Sequence, residues 1–169
     1  MERLARRVDE ILSVVRPRAA RRVPTRVRLA LERTLWQWEA LGPEVRNIAV
    51  FKQIPDPLPE ILVDPEHLDQ ILLNLLLNAK DAMAGSGTLF LSASEEPPWV
   101  VIRIRDTGCG IPAENLKHIF DPFFTTKPGG TGLGLANVWK LVEHNGGQVA
   151  VSSEPGQGTE FTLRFPAVT

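Results

Sequence analysis

Apolar residues recur at intervals of three and four along four stretches of the chain, and each predicts a helix. The first stretch covers residues 4–15, where Leu4, Val8, Ile11, Leu12 and Val15 form one stripe with charges opposite. A lone amphipathic helix of this length requires a partner surface. Pro17 ends it, and Arg18 to Pro24 reads as a linker. The second helix spans about Val27 to Leu41, with Leu29, Leu31, Leu35 and Trp38 among its apolar residues, and Gly42-Pro43 stops it. The third opens at Asp64-Pro65-Glu66: a cap acceptor, a proline in the first turn, and an acid near the positive end of the helix dipole. It runs to about Met83, just before Gly85. The fourth covers Gly132 to Glu143.

Short apolar or alternating runs predict strands at Arg46–Ile54, Thr88–Ala93, Val100–Arg105, Gln148–Ser152 and Thr159–Phe165. The last two form a hairpin around Pro155-Gly156-Gln157-Gly158. Pro55, Pro57 and Pro59 close the first strand, and Pro112, Pro122 and Pro128 mark a long irregular segment between Ile111 and Gly130. The expected fold is α/β: a two-layer α/β sandwich, a mixed sheet with helices on one face. The strict alternation of a doubly wound fold is missing.

Composition narrows the class. The chain has 169 residues, 43% hydrophobic and 23% charged, which suits one soluble domain with a real core. The expected division is a helix and linker over residues 1–23 and a catalytic domain over 24–169. A net charge of −1 provides no global field for nucleic acid, and none is expected as a partner. The arginines of the first 28 residues lack interleaved aromatics for base stacking and read as a solvated face. Cys109 is the single cysteine, which excludes an internal disulfide and fits a reducing compartment. No run reaches the roughly 20 apolar residues of a membrane span. A cytoplasmic location is expected, including as the cytoplasmic part of a membrane-bound protein.

Three ordered blocks carry candidate chemistry. In the third helix, His67, Gln70, Asn74, Asn78 and Asp81 share one face of an otherwise apolar cylinder. Such a stripe is either a hydrogen-bonded surface or the wall of a polar cavity. An Asn side-chain oxygen there is a hard neutral donor suited to Mg²⁺. Next, Asp106 ends a strand and is followed by Gly108 and Gly110. That is either a tight turn or a place where backbone lies against a flat ligand while the carboxylate accepts an amino group. Last, Gly129-Gly130-Thr131-Gly132-Leu133-Gly134 runs into a helix whose first amides can bind phosphate. Neither a P-loop nor a dinucleotide fingerprint is present. Phe120-Asp121-Pro122-Phe123-Phe124-Thr125-Thr126-Lys127 reads as a core-packed loop or a mobile lid bearing a lysine for phosphate. Thr159 is a further candidate for base recognition. Trp36, Trp38 and Trp139 are expected in packing, and Cys109 as a small filler.

Together these blocks resemble the ATP-binding catalytic domain of sensor histidine kinases, in the superfamily shared with DNA gyrase, the ninety-kilodalton heat-shock chaperone and the mismatch-repair ATPases. Asn74–Ala82 is similar to the N box, Asp106–Pro112 to the G1 box, Phe120–Phe124 to the F box and Gly130–Leu135 to the G2 box. The resemblance covers about residues 29–165 and implies the Bergerat α/β sandwich, with ATP and Mg²⁺ as cofactors. It implies that Asn78 holds Mg²⁺ and Asp106 reads adenine. Gly108 and Gly110 would shape the base pocket, with Ile111 lining it. Lys127, Thr131, Gly132, Leu133 and Gly134 would meet the phosphates, with Asn74, Asp81, Gly130 and Thr159 also at the nucleotide. Asn78 and Lys127 are the expected catalytic pair.

Gyrase-like relatives carry a glutamate four residues before the metal-binding Asn. Here that residue is Asn74, an amide that cannot serve as a general base, so transfer is favoured over hydrolysis. Residues 4–15 resemble the second helix of the kinase dimerisation hairpin. No histidine stands in the family's phospho-acceptor context, and His118 reads as a lid residue. The acceptor is therefore expected on a dimerisation segment outside this sequence or on another chain, with a response regulator downstream and a homodimeric full-length protein. A serine/threonine kinase of the anti-sigma type, a non-catalytic ATP switch and a water-hydrolysing clamp are the alternatives.

Overall fold

The computed structural model describes residues 19–168. The stripe at residues 4–15 lies outside the described residues. The elements run β1 (Val23–Thr25), α1 (Val27–Glu39), β2 (Asn47–Gln53), β3 (Ile61–Val63), α2 (Pro65–Met83), β4 (Ser86–Glu96), β5 (Trp99–Asp106), α3 (Ala113–Leu116), α4 (Gly134–His144), β6 (Gln148–Glu154) and β7 (Gly158–Pro166). Five strands make the main sheet in the order β2-β4-β5-β7-β6. The β2–β4 pair is parallel and the other pairs are antiparallel, so the sheet is mixed.

One face of the sheet meets the helices. Alternate residues Leu89, Leu91 and Ala93 of β4, Val100, Ile102 and Ile104 of β5, and Phe161, Leu163 and Phe165 of β7 are buried in one core. The same core takes Leu31, Leu35 and Trp38 from α1, Leu68, Ile71, Leu72, Leu75 and Leu76 from α2, and Leu141 and Val142 from α4. Each fully buried leucine there contributes roughly 1.5–3 kcal/mol of transfer free energy. The opposite face exposes Phe51 and Phe90, stacked with ring centroids 5.5 Å apart. The expected two-layer sandwich is the observed one.

The helix starting at Pro65 keeps its predicted ends. Asp64 accepts from the backbone N–H groups of Glu66 at 3.0 Å and His67 at 3.4 Å, and Ala84 at φ 49° stops the helix in the left-handed region. The linker reading of Arg18 to Pro24 is corrected at its end: Val23 and Pro24 belong to β1, which pairs with β3. Three-residue strands are too short for alternation to register, and a proline argues against strand except on an edge. The packing role expected of Trp36 is also corrected: it is 81% exposed, while Trp38 is buried. Trp139 is partly exposed and lies against Phe120.

Candidate functional site

The inward alternation of β5 and β7 does not stop at the core. After Val100, Ile102 and Ile104 the next inward residue is Asp106; before Phe161 it is Thr159. The two are directly paired across the strands. Both are buried and line a cavity of about 1020 Å³ bounded by the C-terminal half of α2, the loop after β5 and the segment before α4. That volume accommodates a nucleotide-sized ligand.

Burial pushes the Asp106 carboxyl above the usual carboxylate range. The backbone N–H groups of Gly108 and Thr159 and the Lys127 charge oppose that shift without cancelling it. Gly108 N–H donates to Asp106 Oδ1 at 2.8 Å. No side chain fits at Gly108, because a Cβ would stand 2.6 Å from the Ala82 carbonyl. The loop after β5 is thereby laid against α2, and Cys109 N–H donates to the same carbonyl at 3.0 Å. Cys109 itself is exposed on the cavity rim, which corrects its reading as a filler.

Behind Thr159 lies a small polar knot. The Ile111 N–H donates to Ser153 Oγ at 2.8 Å, Ser153 donates to the Gly158 carbonyl at 2.9 Å, and the Ser153 and Thr159 hydroxyls are 2.8 Å apart. Ser153 thus joins the loop after β5 to the start of β7.

Four residues of the polar stripe of α2 divide between two tasks, while Gln70 is exposed. His67 and Asn74 turn to α4: His67 Nδ1 is 3.2 Å from Asn145 Nδ2, and Asn74 Nδ2 donates to the Gly134 carbonyl at 3.5 Å. Asn78 and Asp81 face the cavity. Lys127 Nζ donates to Asn78 Oδ1 at 3.3 Å and to Asp81 Oδ2 at 2.9 Å. The Asn78 oxygen therefore already receives a cation inside the cavity, beside a carboxylate. A neutral and an anionic oxygen around a cationic position are the donor types Mg²⁺ takes, so these residues fit that ion.

The segment before α4 closes the cavity on its far side. Gly132 has φ +68°, and a side chain there would collide with the backbone of Phe123. Phe120 packs on Trp139 and Phe161, with ring centroids 5.5 and 6.5 Å away. Phe124 lies 5.7 Å from His118, which also bonds Asp121 Oδ2 at 2.8 Å. Phe123 is 71% exposed. Two of the three phenylalanines thus anchor the segment.

Of the residues expected at the site, Asn78, Asp81, Asp106, Gly110, Ile111 and Lys127 line the cavity. Gly130, Thr131, Gly132, Gly134 and Thr159 line it too. Asn74, Gly108 and Leu133 stand outside its wall: Asn74 at the α2–α4 seam, Gly108 against Ala82, and Leu133 buried in the protein. Sequence reasoning missed Ile119 and Phe161 in the lining, and placed Phe124 and Leu135 in the F-box-like and G2-box-like blocks without giving them a contact there. Phe161 was accessible from strand alternation, two residues after Thr159. Ser153 became visible only with the β6–β7 register, which pairs it with Thr159.

The family model for histidine kinase-, DNA gyrase B- and HSP90-like ATPases matches residues 63–169. The chain belongs to this ATPase family. It is 41% identical over 165 residues to the sensor histidine kinase ZraS of Escherichia coli strain K12, covering 98% of this chain and 35% of ZraS. It is 36% identical over 160 residues to the signal transduction histidine-protein kinase AtoS of the same strain, covering 94% of this chain and 26% of AtoS. The chain therefore spans about a third or less of these relatives. Full-length ShkA, solved in complex with AMPPNP, superimposes with a TM-score of 0.86 at 32% identity, over 99% of this chain and 36% of ShkA. The nucleotide-free catalytic domain of histidine kinase ThkA gives 0.78 at 25% identity, over 86% of this chain and 95% of that domain. The resemblance to the ATP-binding catalytic domain of sensor histidine kinases is borne out. Among the described residues, no helix is long and apolar enough to cross a membrane.

Proposed function

We propose that this chain is the catalytic domain of a sensor histidine kinase. It transfers the γ-phosphoryl group of ATP to a histidine on a dimerisation domain, for relay to a response regulator. The reading is carried by one observation. The buried acceptor pair Asp106 and Thr159, the oxygen donors Asn78 and Asp81, and the amide-rich segment Gly130–Gly134 all line one cavity.

In this reading the adenine amino group donates to Asp106, and Ile111 covers the ring. Backbone amides at the start of α4 meet phosphate oxygens, aided by the helix dipole. Lys127 leaves Asp81 for the phosphates and offsets the charge that spreads over the transferring group. Asn78 would hold Mg²⁺, with Asp81 beside it, and the ion would supply charge neutralisation for the phosphates. Asn74 supports transfer over hydrolysis, because an amide bonded to the Gly134 carbonyl cannot take a proton from water. The nucleophile is an imidazole nitrogen from a separate segment. The segment before β1 belongs to the dimerisation hairpin and its linker, the catalytic domain begins at Val23 rather than at residue 24 because β1 pairs with β3, and the full protein is a homodimer with this domain in the cytoplasm.

Incubation with ATP, Mg²⁺ and the dimerisation domain of the full-length protein tests this. An acid-labile, base-stable phosphorylated product is expected, and Asn78→Ala should slow its formation by about a hundredfold or more. An acid-stable phosphoester, or release of free phosphate with no transfer, contradicts the proposal.

A further inference from the structure

Ser153 has three polar partners and one hydrogen to give. Its Oγ receives the Ile111 N–H at 2.8 Å and stands 2.9 Å from the Gly158 carbonyl and 2.8 Å from Thr159 Oγ1. A carbonyl oxygen only accepts, so the Ser153 hydrogen belongs to Gly158. The remaining lone pair of Ser153 then faces the Thr159 hydroxyl. All three contacts are hydrogen bonds in one arrangement alone, with Thr159 donating to Ser153. Any other leaves two lone pairs opposed in a partly buried place.

This fixes what Thr159 shows to the cavity. Its single hydrogen is turned back toward Ser153, and only lone pairs remain for a ligand. Beside it, the Asp106 carboxylate already takes the Gly108 N–H at 2.8 Å and likewise has only acceptor capacity left. The Asp106 and Thr159 side chains therefore offer acceptors and no donor.

We propose that Ser153 is a positioning residue for base selectivity: by holding the Thr159 hydrogen, it makes the pocket accept an exocyclic amino group and repel a carbonyl oxygen. The proposal rests on the nucleotide reading of the cavity given above. Ser153 does not itself line the cavity. It acts through Thr159, and its loss frees the Thr159 hydroxyl to rotate and donate. A site built to hydrogen-bond one functional group rejects its opposite because buried partners are left unpaired.

The test compares ATP with inosine triphosphate, whose base carries a carbonyl in place of the amino group and a proton on N1. Calorimetric titration with Mg²⁺ gives both affinities. The parent should prefer ATP. In Ser153→Ala the ATP-to-inosine-triphosphate affinity ratio should fall by about tenfold, and Ser153→Thr should keep the parent ratio. A general loosening of the pocket weakens both ligands together and leaves the ratio alone. An unchanged ratio in Ser153→Ala overturns the proposal. Should that variant fail to fold, Thr159→Val removes the same lone pairs; its ratio should also fall, and an unchanged one overturns the proposal equally. A parent that binds neither ligand refutes the nucleotide reading itself, an outcome distinct from an unchanged ratio.

Discussion

Asp106 sits where three apolar residues of its strand lead the chain to place a fourth. A carboxylate there loses hydration, and its pKa is raised by that burial against the pull of two backbone N–H groups and Lys127. For an acid with a raised folded value, the associated stability is fully present below the ordinary 3.8 and is lost as pH rises through the raised value. Asp106→Asn removes that loss. The variant should melt at or above the parent temperature at neutral pH, while ATP affinity falls by about tenfold to a hundredfold. The parent affinity should itself decline on acidification with a midpoint above 3.8, a step absent from the Asn variant. Thermal melts and calorimetry across pH check both. A destabilised variant with unchanged affinity contradicts the assignment. Asp106 was legible in the sequence from its place between a strand and two glycines. Ser153 was not, because its partners lie 42 and 6 residues away.

At the scale of the element, α2 combines three demands. Leu68, Ile71, Leu72, Leu75 and Leu76 build the core; His67 and Asn74 fasten the helix to α4; Asn78 and Asp81 reach the cavity. Helical periodicity revealed the polar stripe but could not divide it, since the division depends on how far α4 extends along α2. The helix start was readable because capping is local. Burial raises the Asp64 pKa, but the backbone N–H groups of Arg21, His67 and Glu66 and the nearby His67 outweigh it, so the net shift is downward. A lowered acid contributes stability above its unfolded value of 3.8 and loses it as pH falls through the folded value. Asp64→Ala should cost about 1 kcal/mol at neutral pH, read from the urea midpoint. That cost should shrink in acid; one independent of pH would contradict the charged-cap account.

The whole molecule is a sheet with its helices on one face, and the cavity lies where that cover ends. Element types along the chain were enough to predict the two layers. The order β2-β4-β5-β7-β6 was not, because pairing depends on contacts between distant segments. The same holds for the β1–β3 pair, whose strands are three residues each. What the sequence recorded as separate blocks becomes one site only through this topology: β5 and β7 bring Asp106 and Thr159 together, and Lys127 bridges to α2. Amide chemical-shift mapping with ATP and Mg²⁺ tests that convergence most directly. The largest changes should fall at Asn78, Gly108, Gly110, Ile111, Gly130–Gly134 and Thr159, saturating together at one nucleotide per chain. Changes confined to one of these segments, centred on another surface, or absent altogether would contradict the account.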